Sequence, residues 1–202
     1  IFDYSKIEAG QLELEATAFD LVAVVGEVLD LFRARAVEQG LELAGSLKSS
    51  EKPVLVDIVA FVQSVVDDAV DDGDRAVLRG CGHDARRPLL ALARPFCLKR
   101  CLDNLICNAV TYGGNAELSI AANSDSITVD IADSGPGIPE DMLERVFTPY
   151  FRLEASRCRS YGGVGLGLPI AGNMAALNSG KLSLRNRPEG GHVARLVLPR
   201  HK

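Results

Sequence analysis

Asn104-Leu-Ile-Cys-Asn-Ala-Val-Thr-Tyr-Gly-Gly114 closes a segment in which Leu98, Cys101, Leu102, Leu105, Ile106 and Ala109 recur at steps of three and four residues. That spacing predicts a helix with one buried stripe. Asn104 and Asn108, one turn apart, share a different edge of it. A cap or a solvated face would explain an isolated pair. Asn is nevertheless a poor helix-interior residue, and two at this spacing form a row of amide oxygens able to hold a hard cation and the phosphates around it.

Two glycine-rich loops follow. Ser126-Ile-Thr-Val-Asp-Ile-Ala132 alternates as a strand and runs into Asp133-Ser-Gly-Pro-Gly-Ile138. This is either a plain turn or a carboxylate beside bare backbone, suited to the exocyclic amine of a flat ring. Gly162-Gly-Val-Gly-Leu-Gly-Leu168 sets four glycines before an apolar helix starting near Leu168. Backbone N–H groups and a helix N-terminus could there face phosphate, although a flexible linker looks similar.

In this order and spacing the three stretches resemble the N, G1 and G2 boxes of the sensor histidine kinase ATP-binding domain, of the GHKL (Bergerat) superfamily. Phe147-Thr-Pro-Tyr-Phe151 is similar to its F box, so the resemblance covers roughly residues 94 to 170. It implies an α/β (α+β) fold: a two-layer sandwich, a mixed sheet of about five strands with helices on one face. An extra N-terminal helical segment would be added to it.

Size and composition agree with a folded domain. The chain has 202 residues, 47% of them apolar, enough for a sizeable core. It contains no run of eighteen apolar residues and no signal-peptide pattern, which predicts no direct membrane contact. A formal charge of -5 gives no electrostatic reason to bind nucleic acid. Cys81, Cys97, Cys101, Cys107 and Cys158 lack the spacing of a zinc site or a disulfide framework. Three of them fall on the Asn-bearing helix, where Cys behaves as a small apolar residue, and we expect a cytoplasmic setting.

Taken in order, residues 1–10 end in Ser5-Lys-Ile-Glu-Ala-Gly10, which resembles the end of the second helix of the family's dimerisation and phosphoacceptor hairpin. Most of that hairpin is then expected outside this chain. Residues 11–52 read as a short strand through Phe19, a helix from about Leu21 to Gln39, and a strand over Leu41 to Ala44. Residues 53–80 repeat the pattern: strand Val54 to Ile58, helix Val59 to Val70, turn at Asp72-Gly73, strand Arg75 to Leu78. Only one copy can pair at a given sheet edge. The second is contiguous with the Asn-bearing helix and is assigned to the sheet, making 53–202 the ATP-binding domain and 11–52 an extra unit or fusion junction.

Gly82-His-Asp-Ala-Arg-Arg-Pro-Leu-Leu90 resembles a phosphoacceptor box. It stands within about a dozen residues of the Asn-bearing helix, with no room for two long helices, so His83 is read as lying on a solvated loop before a strand near Leu89 to Ala93. Ala116 to Ala121 and Ser126 to Ala132 predict a hairpin, Pro139 to Val146 a short helix, and Thr148 to Tyr161 a lid. Leu168 to Leu177 predicts a helix, and Lys181 to Asn186 with His192 to Leu198 a terminal hairpin.

The resemblance implies roles. Asn108 would coordinate Mg²⁺, with Asn104 on metal or phosphate. Asp133 would accept from the adenine amine, Gly135 and Gly137 would permit close approach, and Tyr112 would stack near the base or fill core. Gly163, Gly165, Leu166, Gly167 and Leu168 would bring the lid onto the phosphates of ATP, with Arg152 and Arg157 as lid cations or as ordinary solvated arginines.

Related ATPases of this fold carry Glu where Asn104 stands. The amide removes a general base and favours transfer over hydrolysis. The implied function is γ-phosphoryl transfer to a histidine on the dimerisation hairpin of a homodimeric sensor, then to a response regulator receiver domain, the full-length protein being open to a membrane anchor. Thr111, where the family commonly has Lys or Arg, and Val164, where it has Thr, depart from the pattern. Two alternatives stay open: a degenerate nucleotide-binding module, and a serine kinase of the anti-sigma-factor type.

Overall fold

The computed structural model describes residues 52–82, 88–153 and 165–202. The expectations for residues 1–10, for the repeat copy over 11–51, for His83, and for Arg157, Gly163 and Val164 lie outside the described residues.

The core is set by period-two patterning in the strands. In β5 (Ser126–Ala132), Ile127, Val129 and Ile131 are at most 1% exposed. They pair with inward residues on both neighbours: Ile127 with Leu198, Val129 with Leu196 and Ile131 with Ala194 of β7 (His192–Pro199), and Val129 with Ile120 and Ile131 with Leu118 of β4 (Ala116–Ala122). Each such side chain contributes about 1.5–3 kcal/mol on burial, and a slip of one residue would turn the whole row to water. The intervening residues make the solvent face, where Arg195 grips its register partner Asp130 through Nε–Oδ1 and Nη2–Oδ2 contacts of 2.7 and 2.6 Å.

The sheet is mixed and five-stranded, in the order β2-β4-β5-β7-β6, with β2 (Ala76–Cys81) parallel to β4 and β6 (Lys181–Asn186) antiparallel to β7. The strand of the 53–80 unit therefore takes the sheet edge. The unit's first strand does not join it: β1 (Val54–Asp57) pairs antiparallel with β3 (Leu90–Ala93) in a separate two-stranded ribbon.

Among the described residues, three helices cover the inward face. α1 (Ile58–Asp71) starts where Asp57 Oδ1 accepts from Val59 N at 3.1 Å, and it buries Ile58, Val62, Val65 and Val66. α2 (Pro95–Gly113) has proline at its start, where the missing N–H costs nothing, and ends at Gly114 with φ +77°. It buries the whole predicted stripe. Of its cysteines, Cys97 and Cys101 are buried as expected but Cys107 is exposed, because position 107 falls off the stripe. α3 (Gly167–Leu177) packs on α2, with Cys101 Sγ 3.4 Å from Ala171 O. Buried Asn178 joins the two helices, accepting from Arg94 N at 2.7 Å and donating to Met174 O at 2.9 Å.

The short helix predicted over Pro139 to Val146 is instead two separate 3₁₀ turns, Glu140–Met142 and Arg145–Phe147. With only Val146 buried in the pair, no apolar stripe is available to hold a continuous α-helix. Among the described residues, no helix is long and apolar enough to cross a membrane.

Candidate functional site

α2 carries the amide row along one edge. Asn104 and Asn108 are both half-buried. Asn104 Nδ2 donates to Arg100 O at 2.8 Å, which uses the amide nitrogen on the helix's own backbone and leaves Oδ1 to accept. Gly167, at the start of α3, backs directly onto this row. A Cβ there would lie 3.3 Å from Asn104 Oδ1 and from both amide atoms of Asn108, so only a hydrogen leaves the amides uncrowded. Gly167, the end of the second glycine-rich stretch, and the asparagine pair are thus side by side.

The F-box segment is tied to that loop. Tyr150 N donates to Gly165 O at 3.0 Å, and Gly165 has φ +80° with backbone of Phe151 and Tyr150 close by. A Cβ at 165 would fall 2.9 Å from Phe151 O. Arg145 lies over the Phe151 ring, 4.8 Å from its centroid. Leu166 and Leu168 pack against the core, which anchors both sides of Gly167. Among the described residues no side chain caps α3, so its first N–H groups keep their capacity to donate. Arg152, one position past the F-box segment, is exposed.

At the other end of α2, Gly113 abuts Asp133, the residue at which β5 gives way to the first glycine loop. Asp133 is only 1% exposed. It is walled by backbone: added Cβ atoms at Gly113, Gly135 and Gly191 would each come within about 3 Å of its atoms, at 2.4, 3.1 and 2.1 Å respectively. Its Oδ1 accepts from Gly135 N at 2.8 Å and from His192 N at 3.3 Å. Its Oδ2 lies 2.6 Å from His192 Nδ1, yet no group among the described residues donates an aligned hydrogen bond to it.

Burial alone would push the Asp133 carboxyl up. The His192 ring and the N–H groups of Gly135 and His192 outweigh it and hold the carboxyl below its usual range. The result is a buried, ionised carboxylate with acceptor capacity left on one oxygen.

The rest of the loop is clamped by Asn186, which accepts from Ile138 N at 2.9 Å and donates to Ile138 O at 2.6 Å. Gly137, at φ +77°, leaves 3.0 Å between its would-be Cβ and Asn186 Oδ1. Arg187 Nη1 donates to Asp133 O at 2.9 Å. Tyr112 is 43% exposed, which excludes its role as core filler.

The sequence reading missed Asn186, Arg187 and His192. They belong to the terminal hairpin, and nothing in its alternation says which loop it will meet. The Gly190-Gly191 pair before His192 was the one available signal of a close backbone approach.

Among the described residues there is no group of three or more His, Cys, Asp or Glu side chains that could hold a metal. A cation on α2 would take amide oxygens from the protein and its remaining ligands from phosphate and water, a donor set that suits Mg²⁺. A groove of about 700 Å³ between the two 3₁₀ turns and β6, lined by Glu140, Glu144, Phe147 and Leu184, contains none of the predicted site residues.

The family model described as histidine kinase-, DNA gyrase B- and HSP90-like ATPase matches residues 94–202. The sensor histidine kinase GtrS of Pseudomonas aeruginosa is 46% identical over 107 residues, 53% of this chain and 22% of that protein. Among solved structures, the catalytic domain of histidine kinase ThkA superposes with a TM-score of 0.61 at 22% identity, covering 74% of this chain and 96% of its own. The ATP-binding domain of PrrB from Mycobacterium tuberculosis gives a TM-score of 0.57 at 28% identity, covering 75% and 99%. The chain spans about a fifth of the length of the curated relatives it matches.

Proposed function

Because the chain belongs to the histidine kinase-, DNA gyrase B- and HSP90-like ATPase family, we propose that it is the ATP-binding kinase domain of a two-component sensor histidine kinase. The γ-phosphoryl group of ATP would pass to a histidine on a dimerisation hairpin, and from there to an aspartate on a response regulator receiver domain.

One observation carries this reading. Both glycine loops press on one helix, Gly167 against the asparagine pair and the Asp133 loop against Gly113. Gly113 lies nine positions beyond Asn104, about 13 Å of helix at 1.5 Å per residue. A base acceptor and an amide row are thereby set at two separate points along one helix.

In this reading Asp133 accepts from the adenine amine, and Gly135 and Gly137 let the ring approach the backbone. Tyr112 stacks near the base. Asn108 and the Oδ1 of Asn104 hold Mg²⁺, which neutralises charge on the triphosphate when bound. Gly163, Gly165, Leu166, Gly167 and Leu168 turn backbone N–H groups to the phosphates, and Arg152 and Arg157 add lid charge. No carboxylate on α2 faces the amide row to activate water, which leaves ATP for an imidazole nucleophile. In the transfer, a P–N bond forms as the bond between the γ-phosphorus and the ADP oxygen breaks.

The domain limits follow the same reading: 1–10 the end of the hairpin's second helix, 11–52 an extra unit, 53–202 the catalytic domain, acting within a cytoplasmic homodimer. The free thiols at Cys81, Cys97, Cys101 and Cys107 support a reducing compartment.

The test is incubation with γ-labelled ATP, Mg²⁺ and a separately prepared phosphoacceptor hairpin. Acid-labile label on the hairpin histidine is the expected result. Mg-ADP binding with no label under any condition would favour a second reading, a module that holds nucleotide without transfer. That alternative is supported by exposed Thr111, where the resemblance expects a phosphate-binding cation.

A further inference from the structure

Asp133 and His192 form a buried titratable pair. His192 is 9% exposed and shares the inward parity of Ala194, Leu196 and Leu198 on β7, so its ring points to the helix-covered side of the sheet. Its Nδ1 lies 2.6 Å from Asp133 Oδ2. At that separation Nδ1 must carry a hydrogen, since two lone pairs would repel. Oδ2 is itself buried, and because a carboxylate oxygen carries two lone pairs, one remains beyond the contact with Nδ1–H.

The surroundings limit what else could act on the carboxylate. Among the described residues, the charged groups around the pair are Arg187, which donates to the Asp133 carbonyl, and Glu189, which holds Arg187 at 2.7 Å. Arg185, on β6, turns to the other face and lies 3.9 Å from Asp130. The first glycine loop, the end of α2 and Gly191 bring only backbone to Asp133. His192 is thus the ionisable side chain in contact with the carboxylate itself.

We propose that His192 is a positioning and specificity-determining residue of the nucleotide site. Its Nδ1–H keeps Asp133 an acceptor-only carboxylate, so the site takes a purine bearing an exocyclic amine and refuses one bearing a carbonyl at that ring position.

The chemistry is direct. A protonated Asp133 could donate to a carbonyl and would no longer discriminate; an ionised one can only accept. Burial works towards the protonated form, and His192 is the leading group that opposes it. A buried carboxylate facing a carbonyl oxygen would be left unpaired, which is where strong discrimination arises. The inference rests on the reading of Asp133 as the base-binding carboxylate.

The experiment measures ADP and GDP affinities of the full chain with Mg²⁺ by calorimetry from pH 4.5 to 8, for the wild type, His192→Phe and His192→Asn. Phe keeps a ring and removes the donor; Asn places an amide N–H close to where Nδ1 stands. The wild type is expected to prefer ADP by about a hundredfold or more, with ADP affinity flat over this range. His192→Phe should lose ADP affinity as the pH falls from 8, and its ADP-to-GDP ratio should shrink at least tenfold towards the acid end. His192→Asn should restore both properties.

A folded His192→Phe with the wild-type pH profile and ratio overturns the proposal. So does a variant that weakens both nucleotides equally at every pH, which is what a purely structural residue would do. Should His192→Phe fail to fold by circular dichroism, His192→Leu carries the same comparison. Wild-type protein that binds neither nucleotide refutes the nucleotide-site reading, and this inference falls with it.

Discussion

Gly113 and Asp133 touch so closely that a single added methyl at 113 would sit 2.4 Å from Asp133 Cβ and 2.7 Å from its Oδ1. The last turn of α2 and the end of β5 are packed there with no side chain between them. Gly113→Ala should therefore destabilise the fold by about 1–3 kcal/mol through overpacking, although alanine is the better helix former by about 1 kcal/mol. It should also weaken ADP binding by moving Asp133. Urea unfolding and calorimetry check the two effects, and an alanine variant as stable as wild type would contradict the packing.

The amide row makes a separable prediction. Asn108 is half-buried at a helix edge, and no core packing rests on its amide. Asn108→Ala should change stability by no more than about 0.5 kcal/mol. Mg-ADP affinity should fall about tenfold or more, equivalent to about 1.4 kcal/mol, with a smaller loss when EDTA removes the metal. Equal losses with and without Mg²⁺ would argue against a metal-holding role.

Asn104 carries the chemical choice between transfer and hydrolysis. Its Oδ1 can accept, but an amide cannot take a proton from water. Asn104→Glu supplies a base at the same place, and positioned bases are worth about 10²–10⁴-fold. Steady-state phosphate release without a phosphoacceptor should rise by about tenfold or more. No increase in a variant that still binds ATP would show that the amide is not what restrains hydrolysis.

Asp133 should leave a mark on acid stability. Its carboxyl is held below the ordinary 3.8, so its contribution to folding is present above that value and is lost as the pH falls through 3.8 towards the folded value. The difference in urea midpoint between wild type and Asp133→Asn should be constant above about pH 5 and shrink below it. A difference that grows on acidification would reverse the sign and rule out a depressed carboxyl.

The cysteines test the packing of α2 independently. Burial pushes the Cys101 thiol up to about 12, so it stays protonated and inert at neutral pH, whereas Cys107 is exposed. Alkylation at pH 8 followed by peptide mapping should label Cys107 promptly. Cys97 and Cys101 should be labelled only after unfolding in urea. Prompt labelling at 101 would place the helix in a different rotation.

The sequence by itself determined the elements and the ends of the site. Periods of 3.6 and 2.0 mark which residues are buried, and α2, β5, α3 and the terminal hairpin follow within a residue or a few of their expected limits. The motifs Asn104/Asn108, Asp133-Ser-Gly and Gly165-Leu-Gly167 are contiguous, so their spacing is readable without a fold. Patterning failed where it is weakest: residues 139–146 lack an apolar stripe and form two 3₁₀ turns. Val54–Asp57 reads as a sheet strand but, among the described residues, pairs only with Leu90–Ala93, because pairing partners are not encoded in a strand's own alternation.

Only the tertiary structure decided what stands around Asp133. His192, Arg187 and Gly191 lie 54 to 59 positions away in the chain, and they reach Asp133 because β7 pairs with β5 in a register that sets Val193 against Ala132. A local pattern fixes which face a side chain takes; long-range pairing fixes whom it meets. The ionisation of Asp133, on which the choice of base depends in our proposal, is set by that second kind of contact.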